Sequence, residues 1–135
     1  MPNAPIGERV LVDTSVWVDF FRNQPGAVAL IATLAEDHRA VICGTILQET
    51  LQGAKTEKEL DFLRTQMSLW RFEAEMPEDF TVAASLYARL RWQGLTVPPA
   101  DCLIAAVALR NGITLCSSDA HFARMDGLQF HRVAL

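Results

Sequence analysis

The chain has 135 residues, of which 50% are hydrophobic and 21% are charged. This length and apolar content predict one globular domain with a substantial core, and no apolar run approaches the roughly 20 residues of a membrane span. Sixteen acidic residues against twelve basic ones give a formal net charge of -4, which argues against nucleic-acid binding through an extended basic surface.

The N-terminal residues and the cysteines both indicate a cytoplasmic protein. The opening MPNAPIGER lacks the charged-then-apolar order of a secretory signal, and we expect residues 1–8 to be a flexible extension of a single domain spanning 1–135. Cys43, Cys102 and Cys116 stand singly in apolar surroundings. They are predicted to be reduced core thiols rather than disulfides or zinc ligands.

The first half of the chain alternates short apolar runs with longer segments of helical periodicity. RVLVD is a predicted strand, followed by a helix from about Thr14 to Arg22 and, after NQPG, by the helix AVALIATLAED. A second strand, from Ala40 to Thr45, leads into a third helix. Thr45 and Gln48 have the spacing of a capping box at its start.

The second half continues the alternation. EKELDFLRTQMSL is a predicted helix, LWRFEAEM a strand, and the next helix begins at Pro77 and ends before Gly94. Two consecutive prolines then favour a helix from Ala100 to Asn111 that is closed by Gly112. GITLCSS supplies a strand, a short turn or helix runs through Met125, and LQFHRVAL supplies the last strand. The pattern predicts an α/β fold with a parallel central sheet and helices on both faces.

Three acidic residues lie at or shortly after the carboxyl ends of predicted strands. Asp13 comes directly after the first strand, Asp119 follows GITLCSS, and Glu49 lies slightly inside the helix after the second strand. Because parallel strands bring their carboxyl ends to one edge of a sheet, we expect these side chains to lie close together. Asp101, in the first turn of its helix, reaches that edge only if the preceding Pro-Pro turn crosses it.

Each acid taken alone is explained by helix capping, but their convergence is not. Two unit charges about 4 Å apart repel by about 4 kcal/mol at an effective dielectric constant near 20, so a cluster requires a counter-ion. Oxygen ligands favour Mg²⁺ or Mn²⁺, which also bind substrate phosphates. The hydroxyls of Thr14 and Ser117 stand beside the acids, where they can orient ligands or cap helices.

Four segments in order resemble the motifs of the PIN domain, and within it the VapC-like ribonuclease toxins of prokaryotic toxin–antitoxin pairs: VLVDTSVWVDFF, ILQETLQG, PPADCLIAAVALRNG and TLCSSDAHF. The resemblance extends from Arg9 over nearly the whole chain. It implies an α/β/α sandwich whose acids bind divalent metal and cleave RNA. By matching motifs these acids are Asp13, Glu49, Asp101 and Asp119, and Ser117 stands at the family's usual Thr or Ser.

One position departs from this family pattern. The family often has a further Asp just before the Phe of the last motif, where this chain has His121, a possible metal ligand. Arg22, Lys55 and Arg124 follow the metal motifs and are candidate RNA contacts, whereas Arg110 is assigned to a solvated helix face.

The resemblance also implies a protein partner. A cognate antitoxin would cover the site and insert an Arg or Lys among the carboxylates. The amphipathic segments DFLRTQMSLW and VAASLYARLRW offer apolar surface for this antitoxin segment and for a homodimer.

From the residues alone, two other classes stay open. A phosphatase or phosphotransferase with an aspartyl nucleophile also begins with a strand that ends in Asp, although dehalogenase-like members place a second Asp where this chain has Ser15. A signalling receiver domain shares the β–α alternation. It requires paired acids after the first strand and a Lys after the last, and only Asp13 is present here.

Overall fold

The structure, a computed structural model, describes residues 8–134; the extension expected at residues 1–8 therefore lies, apart from Glu8, outside the described residues. Within this range one sheet contains five parallel strands: β1 (Val10–Val12), β2 (Ala40–Ile42), β3 (Arg71–Phe72), β4 (Thr114–Ser117) and β5 (Phe130–Arg132). Their order across the sheet is β3-β2-β1-β4-β5. The strand that ends at Asp13 is thus central.

Helices connect the strands: α1 (Thr14–Phe21), α2 (Pro25–Glu36), α3 (Gly44–Gln52), α4 (Glu57–Met67), α5 (Pro77–Trp92) and α6 (Pro99–Asn111), with a 3-10 helix at Ala120–Arg124. The predicted α/β class with a parallel central sheet is confirmed, and the helix ends lie within a few residues of those expected. Gly112 closes α6 in the left-handed conformation, with φ of 62°, as predicted. Among the described helices, none is long and apolar enough to cross a membrane.

The core explains why the strands are so apolar. All residues of β1 and β2 are buried, which is the pattern of parallel strands covered on both faces. Trp17 of α1 is fully buried, and its indole Nε1 donates a hydrogen bond of 3.0 Å to the carbonyl oxygen of Val12. This bond fixes the start of α1 over the end of β1. Cys43, Cys102 and Cys116 are buried and free, as expected.

Two local expectations differ from the structure. The strand predicted in LWRFEAEM is present but spans only Arg71–Phe72; the Glu73 amide still donates to the Ile42 carbonyl oxygen, and Glu75 then bonds to the start of α3 instead. The capping box at Thr45 does not form. The N-cap of α3 is Cys43, and the Thr45 hydroxyl donates to Glu75 instead.

Arg110 is exposed, as expected of a residue on a solvated helix face, but it also has a specific partner. Its Nε donates to the carboxylate of Asp79, at 2.9 and 3.1 Å, and Asp79 is only 1% exposed. A buried carboxylate requires such a partner. Arg110 therefore links α6 to the start of α5.

Candidate active site

Asp13 occupies the turn from β1 into α1 and is buried, with 2% of its surface exposed. In the described part of the chain its hydrogen bonds fall on one carboxylate oxygen, Oδ2. That oxygen accepts from the hydroxyls of Ser15 and Ser117, both at 2.8 Å, and from the Ser15 amide at 3.4 Å. The other oxygen, Oδ1, is left for an additional ligand.

Burial raises the pKa of Asp13, and the negative charge of Asp119 raises it further, while hydrogen bonds from Ser117 and Ser15 act in the opposite direction. The carboxylate is therefore held in an environment that disfavours its charge. A nearby cation would stabilise the ionised carboxylate of Asp13.

Ser15 and Ser117 join the ends of the two central strands. Their hydroxyl oxygens lie 3.2 Å apart, and Ser15 Oγ accepts from the amide of Ser118. Ser117 Oγ accepts from the amide of Asp119 at 3.0 Å, so the backbone directly positions this second acid. Asp119 is the N-cap of the 3-10 helix, yet among the described residues its carboxylate makes no capping bond. Capping therefore does not account for this side chain.

Glu49 reaches the same edge from the second turn of α3. Its Oε1 accepts a hydrogen bond of 2.8 Å from the hydroxyl of Thr14, the first residue of α1. The Thr14 hydroxyl thus orients the second predicted acid.

Asp101 does reach the site, because Pro98 and Pro99 start α6 at the sheet edge. Its Oδ2 lies 2.8 Å from Nε2 of His121. Burial raises the pKa of Asp101 to about 6, with the charge of Asp13 the next largest cause, and Glu49 acts in the same direction. His121 acts in the opposite direction. The four predicted acids thus share one electrostatic environment.

The donor atoms suit a divalent cation. One oxygen each from Asp101 and Asp119 and one ring nitrogen of His121 all lie within 4.8 Å of one another. Carboxylates whose charge is disfavoured by mutual repulsion gain most from a cation, and oxygen-rich sites with one imidazole accept Mn²⁺ and Mg²⁺. The residues present therefore fit the predicted metal site.

The three residues predicted to contact RNA lie in two different places. Arg22, Lys55 and Arg124 are all exposed. Arg124 is in the 3-10 helix directly after Asp119, whereas Arg22 and Lys55 line a groove of about 260 Å³ between α1, α3 and α4. Arg22 follows the far end of α1, which at 1.5 Å per residue lies roughly 12 Å from Thr14.

The sequence reasoning missed one residue that shapes the site, Glu75, which was placed within the predicted strand LWRFEAEM. Glu75 binds the N-terminus of α3. The capping box predicted at Thr45 already satisfied the helix start, so nothing in the sequence indicated a capping group from elsewhere.

A parallel α/β sheet with carboxylates gathered at its carboxyl edge is consistent with the PIN domain, whose family model matches residues 10–128. The chain belongs to this family. It is 36% identical to VapC ribonuclease Mb1587 from Mycobacterium bovis over 135 residues, which covers 89% of this chain and 96% of that relative. The resemblance to VapC-like proteins is confirmed.

Solved structures agree with this fold. The DNA-bound VapBC of Salmonella typhimurium superposes with a TM-score of 0.80 at 20% identity, over 93% of this chain and 98% of that one. VapBC-5 of Mycobacterium tuberculosis, described as a member of the VapBC family of toxin–antitoxin systems, gives 0.69 at 20% identity, over 96% and 100%. At these identities the likeness establishes the fold.

Proposed function

We propose that this chain is a cytoplasmic, divalent-metal-dependent ribonuclease that hydrolyses phosphodiester bonds in RNA and acts as the toxin of a toxin–antitoxin pair. The observation that carries the proposal is the convergence of Asp13, Glu49, Asp101 and Asp119 at one sheet edge, in a chain whose relative is named a VapC ribonuclease. We assign all four acids to metal binding, with Mg²⁺ or Mn²⁺ as the ion.

Each side chain has a distinct task in this mechanism. Asp13 is oriented by Ser15 and Ser117 so that one oxygen faces the site, and Thr14 holds Glu49. When bound, the cation lowers the pKa of the attacking water and neutralises charge on the phosphoryl oxygens. In the reaction the water oxygen bonds to phosphorus while one P–O ester bond breaks, and the proton that the water loses ends on the leaving oxygen, which gives one phosphate end and one hydroxyl end.

The residue two positions after Asp13 weighs against the phosphatase alternative. Dehalogenase-like members place a second Asp there, whereas this chain has Ser15, whose hydroxyl donates to Asp13. The receiver-domain alternative lacks a lysine at the last strand, where the chain reads Phe130, His131 and Arg132.

For the RNA strand we assign phosphate contacts to Arg124, Arg22 and Lys55. Arg124 follows Asp119 closely, so it is the cation that we expect to act nearest the cleaved bond. Arg22 and Lys55 would bind phosphates farther along the strand.

The antitoxin is expected to occupy the groove between α1, α3 and α4. Val18, Phe21 and Leu63 line this groove, and Phe62, which is 55% exposed, packs edge-on against Phe21 at a centroid distance of 6.2 Å. An amphipathic helix suits such an apolar groove. An Arg or Lys that follows the helix would pair with the carboxylates of the site.

A second copy of the chain is expected at a different surface, where α3, α5 and α6 border a cavity of about 730 Å³. Its lining is mainly alanine and aromatic, and Phe80 at its rim is 57% exposed. Such an exposed apolar face is typical of an interface. Sedimentation of wild type and Phe80→Glu would test the homodimer, which the variant should dissociate.

The nuclease is tested by incubating the purified chain with total RNA, with EDTA, Mg²⁺ or Mn²⁺, and mapping the new ends. We expect cleavage only with metal, and none with Asp13→Asn. Cleavage that persists in EDTA would contradict the metal-dependent mechanism.

The toxin role is tested in the native host. Expression of wild type alone should arrest growth, Asp13→Asn should not, and co-expression with the neighbouring gene product should restore growth and yield a complex. If wild type does not arrest growth and no neighbouring gene product binds it, the toxin role is excluded, even if the purified enzyme cleaves RNA.

A further inference from the structure

The helix that carries Glu49 lacks a capping group of its own. Its N-cap residue is Cys43, whose thiol makes no capping hydrogen bond among the described residues. The first amides of a helix need acceptors, and a negative charge there interacts favourably with the helix dipole. In this chain the acceptor is Glu75, from the loop that follows β3.

The contact between Glu75 and α3 is bidentate. Oε1 accepts from the amide of Gly44 at 2.9 Å, and Oε2 accepts from the amide of Thr45 at 2.6 Å and from its hydroxyl at 2.5 Å. Although burial opposes it, these hydrogen bonds lower the pKa of Glu75 and keep it ionised. Both carboxylate oxygens are thus committed to one helix end.

The absence of a side chain at Gly44 makes room for this contact. A Cβ atom on Gly44 would lie 2.9 Å from Oε1 of Glu75, closer than side-chain carbons normally approach an oxygen. Glycine therefore allows the carboxylate to reach the backbone.

The same loop also holds the helix that carries Asp101. Arg110, near the end of α6, donates to the carbonyl oxygen of Ala74 at 2.8 Å and to Asp79, which in turn accepts from the amide of Met76. The segment 73–76 therefore bonds to α3 on one side and to α6 on the other. Each of these helices contributes one acid to the site.

We propose that Glu75 is a positioning residue of the active site, which fixes α3 along its axis and so places the Glu49 carboxylate against Thr14 and the other acids. Glu49 is four residues beyond Thr45, about one helical turn and roughly 6 Å along the axis. A displaced helix start would shift Glu49 and lengthen its 2.8 Å bond with Thr14. The inference rests on the proposed function, since it requires Glu49 to bind metal.

The test compares Glu75→Gln with Glu73→Gln, a matched control in the same loop whose carboxylate pairs with Arg9 at 3.0 Å. Mn²⁺ affinity of metal-free protein is measured by titration calorimetry, beside kcat, KM and melting temperature. We expect Glu75→Gln to weaken Mn²⁺ binding by about 10-fold, as outer partners of metal ligands do, and to lower kcat more than it raises KM. Glu73→Gln should leave Mn²⁺ affinity at the wild-type value.

A double-mutant cycle separates positioning from simple stabilisation. In a Glu49→Gln background, Glu75→Gln should have no further effect on Mn²⁺ affinity, because the ligand that it positions is absent. Thr45→Val, which removes one of the three hydrogen bonds, should give a smaller loss and serves if Glu75→Gln does not fold.

Two outcomes would overturn the proposal in distinguishable ways. A lower melting temperature with wild-type Mn²⁺ affinity in Glu75→Gln and Thr45→Val would make Glu75 an ordinary helix cap, and the nuclease assignment would stand. Unchanged Mn²⁺ affinity in Glu49→Gln alone would remove Glu49 from the metal ligands. It would overturn both the positioning role of Glu75 and the assignment of all four acids to metal binding.

Discussion

At the scale of single residues, the site is built by restricting each carboxylate through one of its oxygens. Oδ2 of Asp13 is bonded to two serine hydroxyls, and Oε1 of Glu49 to a threonine hydroxyl. Neutral donors orient a carboxylate without cancelling its charge. The charges therefore remain available to a cation.

Asp13→Asn is expected to abolish metal-dependent cleavage while the fold is retained. The amide oxygen of Asn can accept the bonds from Ser15 and Ser117, and Asn is as good an N-cap as Asp. The measurement is RNA cleavage beside a circular-dichroism melting curve. Cleavage by the variant at the wild-type rate would remove Asp13 from the catalytic site.

Asp101→Asn is expected to stabilise the metal-free protein above pH 6. The pKa of Asp101 is raised from 3.8 to about 6, so between these values the native state binds the proton more tightly than the unfolded state. The contribution of this group to stability is therefore present below pH 3.8 and lost as the pH rises through 6. At pH 7 the free energy of unfolding of Asp101→Asn should exceed that of wild type by about 1–3 kcal/mol.

Urea denaturation in EDTA at several pH values measures this effect. Asp126→Asn, at an exposed position, is the control and should follow the wild-type curve. Parallel curves for wild type and Asp101→Asn would show that the pKa of Asp101 is not raised in the native state.

His121 is expected to bind the metal through Nε2, which lies 2.8 Å from Asp101. His121→Ala should then weaken Mn²⁺ binding, and His121→Asp should improve Mg²⁺ binding, because Mg²⁺ prefers oxygen ligands. Calorimetric titration provides the measurement, and unchanged affinity in His121→Ala would leave His121 with only a packing role against Phe122.

At the scale of elements, contacts between segments distant in sequence determine features that local sequence patterns do not predict. The apolar runs at β1, β2 and β4 predicted the sheet, because burial on both faces leaves a continuous apolar signature. Proline and glycine predicted both ends of α6. These signals are local in the sequence, and each was sufficient to predict the strand or helix end concerned.

The site was predictable in part for the same reason. Asp13 and Asp119 follow strands, so the sheet rule placed them, but the position of Asp101 depended on the path of the Pro-Pro turn. Glu75 could not be found this way, because its partners Gly44 and Thr45 lie about thirty residues earlier and no periodicity links them. The ion pair of Arg110 was not predicted, because its partner Asp79 belongs to another helix.

Arg110→Met is expected to destabilise the protein by about 3 kcal/mol, since it leaves the buried carboxylate of Asp79 without its cation. The double variant Asp79→Asn/Arg110→Met should recover part of this loss, because the uncompensated charge is gone. Urea denaturation of the single and double variants gives both values. A single variant as stable as wild type would show that water replaces the guanidinium at this position.

At the scale of the whole molecule, metal binding and folding are linked, because the acids come from four separate segments and meet only in the native state. Mn²⁺ is expected to raise the melting temperature with concentration, and at 100 times its Kd to contribute about 2.7 kcal/mol. Glu49→Gln and Asp119→Asn should reduce this rise. An equal response in wild type and both variants would mean that these carboxylates do not share a bound ion.

The position of β4 beside β1 has a consequence for the timing of biosynthesis. Ser117 and Asp13 are bonded across 104 positions of sequence, so the site is incomplete until the ribosome has delivered β4. At roughly 5–20 residues per second, synthesis of that interval takes about 5–20 s. The helices α1, α3 and α4, which border the groove assigned to the antitoxin, all end by Met67, before Asp101 and Asp119 in the chain. The residues of that groove are therefore synthesised before the catalytic edge has all of its acids.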